Sequence, residues 1–240
     1  MDNSTLINNH VINSTEEKYR SSSLVFISIK KYMAEFIGTY IFLFLGIGAI
    51  IVSHITNSLG NDEIAMVFGL SIGTLIYCLG NISGADFNPA VSIAKCIIGK
   101  LDFQNLIIYC IFQLLGGILA CLTLSCIFGN EYIEYSITKP SNSIIQTASI
   151  EFILTIFLVS IILWTGICDK KYNVLAGLLI GTTITIEALV FGAITGASMN
   201  PVRTVAPALV SGNISYIYIY IIATILGGIT SALIYKSLVK

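Results

Sequence analysis

Long apolar runs almost free of charge constrain this chain more than any other feature. Six of them come near the length of about 20 residues that a helix needs to cross a hydrocarbon core. They cover approximately Met33–Ser53, Ile64–Gly80, Leu106–Gly129, Ile145–Ile167, Val174–Gly192 and Tyr216–Leu238. A backbone in lipid has to satisfy its own N–H and C=O groups, so each run is expected as a transmembrane helix. Composition agrees: 55% of the 240 residues are hydrophobic and 10% charged, whereas a soluble surface carries roughly 25–35% charged residues. A water-soluble globule and a disordered chain are both excluded. A formal net charge of -1 leaves no basic face for nucleic acid. The chain therefore reads as an all-α membrane protein, with the bilayer as its solvent.

The polar, Ser- and Asn-rich opening from Met1 to Ser23 shows no cleavable signal. Residues 1–31 are expected as a flexible tail, ahead of a membrane domain over 32–240. Cys78, Cys96, Cys110, Cys121, Cys126 and Cys168 mostly sit in apolar runs without a C-x-x-C pair, as small buried hydrophobes do. With only His10 and His54 in the chain, no His-based metal site is expected. No cofactor is expected either.

Two apolar stretches, Ala90–Gly99 and Pro201–Val210, are too short to span. Each begins at an Asn-Pro pair, Asn88-Pro89 and Asn200-Pro201, and Asn followed by Pro is a strong helix-start signal. Both are expected as half-helices, which a membrane tolerates only where they are buried in protein or line a cavity. Around them the chain repeats. Ala34-Glu35-Phe36-Ile37-Gly38-Thr39 matches Ile150-Glu151-Phe152-Ile153-Leu154-Thr155, and Ser83-Gly84-Ala85-Asp86-Phe87-Asn88-Pro89-Ala90 matches Thr195-Gly196-Ala197-Ser198-Met199-Asn200-Pro201-Val202. The repeats run over 32–129 and 145–240. Three spans in each place the halves upside down relative to one another, with a shared site near the midplane.

Basic residues give the orientation. With the N-terminus inside, Lys18, Arg20, Lys30, Lys31, Lys95, Lys100, Lys170, Lys171, Lys236 and Lys240 fall inside; only Lys139 and Arg203 fall outside. Both termini are expected in the cytoplasm.

The paired boxes SGADFNPAV and TGASMNPVR, one in each inverted half, resemble the major intrinsic protein family, the aquaporins and glycerol facilitators. The second half looks most like the nodulin-26-like branch. The resemblance covers about Tyr32 to Tyr235 and implies six transmembrane helices plus two re-entrant half-helices in two inverted three-helix repeats. It also implies passive conduction of water and small uncharged solutes such as glycerol, urea or a neutral metalloid acid, usually by homotetramers with one pore per subunit. The membrane would be the plasma membrane or that of an internal vacuole. Two departures stand out: Val202 where the second box usually has Ala, and Asp86 where the family usually has His.

Asn88 and Asn200 should cap their half-helices and offer amide donors to the lumen. The half-helix N-termini add roughly half a positive charge each at the midplane. Arg203, a costly charge inside a membrane, is implied by the resemblance to line the narrowest constriction. Spacing from the boxes carries Phe68, Ala188 and Ala197 to that ring, which would be wider and more apolar than one holding His. Glu35 and Glu151 are implied to accept hydrogen bonds from the re-entrant loops. Glu187, next to Ala188, points about 100° away from it on a helix; a protonated acid bonded to a backbone carbonyl is the favoured reading. Three rivals remain. An intramembrane enzyme would need a nucleophile with its base, or a metal box, and none is present. An ion channel would need charge rings or a carbonyl filter. The third, a non-conducting scaffold or adhesive protein, stays open at this point, as does the narrower reading of a strict water channel.

Overall fold

The computed structural model describes the backbone of residues 3–167 and 174–239 and the side chains of residues 29–165 and 174–239. Cys168, Lys170, Lys171 and Lys240 lie outside the described residues, as do the side chains of His10, Lys18 and Arg20.

Among the described residues, six helices are long and apolar enough to cross a membrane. They are α1 (Asn3–Thr56), α2 (Asn61–Ser83), α4 (Phe103–Phe128), α6 (Ile144–Ile167), α7 (Ala176–Thr195) and α9 (Ile217–Leu238). The half-helices are α3 (Pro89–Ile97) and α8 (Pro201–Ser211). A short helix α5 (Asn130–Ile133) and a 3-10 turn (Glu134–Ser136) join the repeats. The segment expected as a flexible tail is helical from Asn3 and continuous with the first span. Residues 3–31 hold no Gly or Pro, so nothing in them punctuates a helix already nucleated by the apolar run.

Local chemistry sets the ends. Asp102 caps α4 by accepting from Asn105 N–H at 2.9 Å. Ser143 accepts from Gln146 N–H at 3.1 Å at the head of α6. The second helix of each repeat stops at a left-handed glycine, Gly84 (φ 95°) after α2 and Gly196 (φ 85°) after α7, a conformation open to Gly at little cost. α2 extends past both ends of its apolar run, through Asn61-Asp62-Glu63 before it and Asn81-Ile82-Ser83 after it.

Packing follows the inverted repeat. The pair α1–α4 in one half corresponds to α6–α9 in the other, and α2 and α7 meet face to face. That last contact is close: a Cβ on Gly181 would stand 2.6 Å from the Gly69 carbonyl, and small residues of this kind let membrane helices approach. The half-helices cross over. α3 packs on α9 of the second repeat and α8 on α4 of the first. The outside is apolar, with Leu70, Phe157 and Ile222 more than half exposed, while Glu35 and Glu151 are fully buried. That distribution suits a hydrocarbon solvent and is the reverse of a soluble protein's.

Candidate functional site

The two loops leading into α3 and α8 turn sharply. Ala85, Phe87, Ala197 and Met199 all hold positive φ, between 40° and 52°, where a side chain other than Gly is strained by about 1–2 kcal/mol. What holds them there is a buried carboxylate in each half. Glu35 Oε1 accepts from Ser83 Oγ (2.6 Å) and Asp86 N–H (3.0 Å), and Oε2 from Phe87 N–H and Gln113 Nε2, both at 2.8 Å. Glu151 repeats the pattern. Its Oε1 accepts from Thr195 Oγ1 (2.7 Å) and Ser198 N–H (2.9 Å), and its Oε2 from Met199 N–H (2.9 Å). These are loop amides with no helical partner, and leaving them unmade in a buried place would cost about 1–3 kcal/mol each. Tyr109 and Tyr220 clamp the same points, donating to the Ser83 and Thr195 carbonyls at 2.8 and 2.7 Å.

The half-helix tips meet at the asparagines. Asn88 Oδ1 accepts from Ala90 N–H and Asn200 Oδ1 from Val202 N–H, both at 2.9 Å. Each amide also donates one N–H across the junction, Asn88 to the Met199 carbonyl and Asn200 to the Phe87 carbonyl, both at 2.8 Å. An amide nitrogen has two donors, so one N–H of each remains for the cavity that both residues line.

That cavity, about 910 Å³, runs from Tyr77 and Lys95 to Tyr135 and Lys139. Phe68, Ala188, Ala197 and Arg203 all line it, along with Asp86. Arg203 is 4% exposed and donates through Nη1 to the Ser136 carbonyl at 2.7 Å. Its guanidinium carbon lies 5.3 Å from the centre of the Phe68 ring, a cation–π distance. A guanidinium has five donors, and among the described residues the Ser136 carbonyl is its one hydrogen-bond acceptor. Pro89, Ala90, Pro201 and Val202 do not line the cavity but are buried behind it. The bulk of Val202 is absorbed by Gly117 of α4: a Cβ there would stand 2.6 Å from Val202 Cγ1. The departure from Ala is thus met at a helix contact, away from the lumen.

Two placements depart from the sequence reading. Glu187 is buried, yet neither carboxylate oxygen has a hydrogen-bond partner among the described residues. The expected carbonyl bond is absent, and the neighbouring hydroxyls of Thr183 and Thr185 serve their own helix instead. Asp86, without an assigned role in the sequence, pairs with Lys95 and accepts from Ser92 Oγ at 2.7 Å. Sequence reasoning counted Lys95 only as a loop charge and missed the Ser136 acceptor. The first contact depends on how the loop turns into α3, and the second joins elements 67 residues apart.

Two inverted three-helix repeats, closed around a cavity with amide and guanidinium donors, define a membrane channel. A family model described as major intrinsic protein matches residues 21–235, and the chain belongs to that family of channels. Aquaporin NIP1-1 of Zea mays is 38% identical over 209 residues, which cover 87% of this chain and 74% of that protein. Nodulin-26 of Glycine max is 37% identical over 226 residues, covering 93% and 83%. The X-ray structure of the aquaglyceroporin from Plasmodium falciparum matches with a TM-score of 0.78 at 24% identity, over 88% of this chain and 97% of that one; that likeness concerns the fold.

Proposed function

We propose that the chain is a passive, bidirectional channel that conducts water and small uncharged solutes, among them glycerol, urea or a neutral metalloid acid, and excludes ions and protons. The observation that carries this reading is the buried Arg203 in the cavity wall: its unused donors share the cavity with Phe68, Ala188 and Ala197, which we read as one selectivity ring. In that cavity a solute's hydroxyls would find the guanidinium donors, and its carbon edge an aromatic ring and two methyl groups. With Ala at position 188, no bulky side chain narrows the cavity there. The fixed guanidinium charge and the half-helix N-termini oppose cations. The asymmetry of Lys and Arg supports cytoplasmic termini, and the family resemblance supports a homotetramer in the plasma membrane or an internal vacuole membrane.

The test is an osmotic jump on proteoliposomes. The expected outcome is water flux well above that of empty vesicles, with glycerol also entering. Vesicles that shrink no faster than empty ones overturn the reading; water flux without glycerol flux reduces it to a strict water channel.

A further inference from the structure

The two repeats agree closely around their loops, and the place where they part is chemically lopsided. Asp86 of the first loop corresponds to Ser198 of the second, and Ser92 to Thr204. Ser92 Oγ donates to Asp86 Oδ2 at 2.7 Å, and the hydroxyls of Ser198 and Thr204 bond each other at 2.7 Å. A serine therefore holds a loop of this shape, and the acid does more than the loop requires. Its other oxygen, Oδ1, pairs with Lys95 Nζ, which also donates to the Gly84 carbonyl at 3.1 Å. The second repeat has Pro207 at the position matching Lys95. The Asp86 side chain is 1% exposed and that of Lys95 16%, so the ammonium lies over the acid. Among the described residues that line the cavity, Asp86 is the only acid, against Lys95, Lys139 and Arg203.

We infer that Lys95 is a specificity-determining residue of the channel: a tethered cation that fills the acidic oxygen site in the channel wall and denies it to free cations. This rests on the channel reading above. Without the ammonium, the Asp86 carboxylate and the Gly84 carbonyl would face the cavity as hard oxygen donors of the kind that bind Ca²⁺. Their attraction for a cation is stronger in a partly dehydrated wall than in water. An ion held there would stand in the path of the solute. The tether keeps the ammonium at high effective concentration, so free ions compete poorly while Lys95 is present.

The experiment compares wild type, Lys95→Gln, Lys95→Met and the double variant Asp86→Ser/Lys95→Gln in proteoliposomes at pH 8. Osmotic water flux is measured in calcium chloride on both sides and, at equal osmolarity, in choline chloride. Calcium is expected to cut the flux of Lys95→Gln and Lys95→Met at least threefold, and to leave the flux ratio of wild type and of the double variant near one. A second measurement, the calcium-dependent rise in Tm of detergent-solubilised protein, needs no conduction and is expected only in the two single variants. If neither single variant shows a calcium-dependent change in flux or Tm, or if the double variant responds as strongly as they do, the inference is overturned. Absence of wild-type water flux would instead overturn the channel reading and leave the Tm comparison to decide this one.

Discussion

Asn88 and Asn200 clasp one another's loops: each donates, at 2.8 Å, to the carbonyl of the residue just before the other. The two half-helix tips are thereby joined by a pair of reciprocal bonds, and each asparagine caps its own helix with the other end of the same amide. Orientation of the remaining N–H toward the lumen is a by-product of this arrangement, because an amide fixed by two bonds has no freedom to turn.

Asn88→Ala and Asn200→Ala should therefore destabilise the protein by similar amounts. Each loses a cap, about 1 kcal/mol, and leaves a buried carbonyl unmet, about 1–3 kcal/mol. The double variant should lose less than the sum, since the first substitution already frees the junction. Thermal unfolding in detergent, read as a double-mutant cycle, checks this; strict additivity would contradict it.

Arg203→Val should admit protons or small cations while neutral flux persists, because a fixed charge in the cavity wall is gone. A pH-jump assay on proteoliposomes should show a proton leak above that of the parent. An unchanged leak would place the barrier at the half-helix tips alone.

Ala188→His should narrow the cavity that Ala188 and Arg203 both line, on the proposed reading that the two belong to one constriction. Glycerol flux is expected to fall far more than water flux in paired swelling assays. A proportional fall in both would put the constriction elsewhere along the cavity.

Glu35→Gln should cost more than Glu151→Gln. Both oxygens of Glu35 accept two donors, so whichever becomes an NH2 group abandons two bonds. Glu151 can turn its amide toward Met199 N–H and abandon one. At about 1–3 kcal/mol per buried donor left unmade, the difference should appear as a clearly lower Tm for Glu35→Gln.

Glu187→Leu should raise stability, by about 1–3 kcal/mol, since it removes a buried polar group that lacks a partner and adds apolar packing. Glu187→Gln should fold and keep the parent's solute order between pH 5 and 8. Loss of solute discrimination in Glu187→Gln would assign the residue to the filter.

The spans and the two Asn-Pro helices were legible because hydrophobic length and helix-start chemistry are written locally. The repeat made Glu35 and Glu151 legible as a pair, although their ligands lie 44 to 78 residues away. Contacts joining unrelated elements were not. Nothing in the neighbourhood of Asp86 announces Lys95 as its partner, since the two meet only after the loop has doubled back onto α3. Arg203 and the Ser136 carbonyl are 67 residues apart and meet through the turn that links the repeats. The partnerless state of Glu187 was misread because a helix neighbour's spare carbonyl looked available, while the geometry of α7 does not bring the carboxylate to it. The helix over residues 3–31 was hidden by composition: a Ser- and Asn-rich stretch suggests a tail, yet without Gly or Pro it offers no place to stop.

The crossing of the half-helices has a consequence for how such a chain is made. Since α3 packs on α9 and α8 on α4, neither repeat contains the full wall that its own re-entrant segment leans on. As synthesis proceeds from the N-terminus, α3 leaves the insertion machinery long before the helix that supports it exists. The first loop must wait, with Glu35 holding its amides, until the final helix (Ile217–Leu238) arrives. A ribosome that stalls just short of that helix would leave behind five spans and a half-helix held by α4 and α6 without α9, a natural mark for membrane quality control.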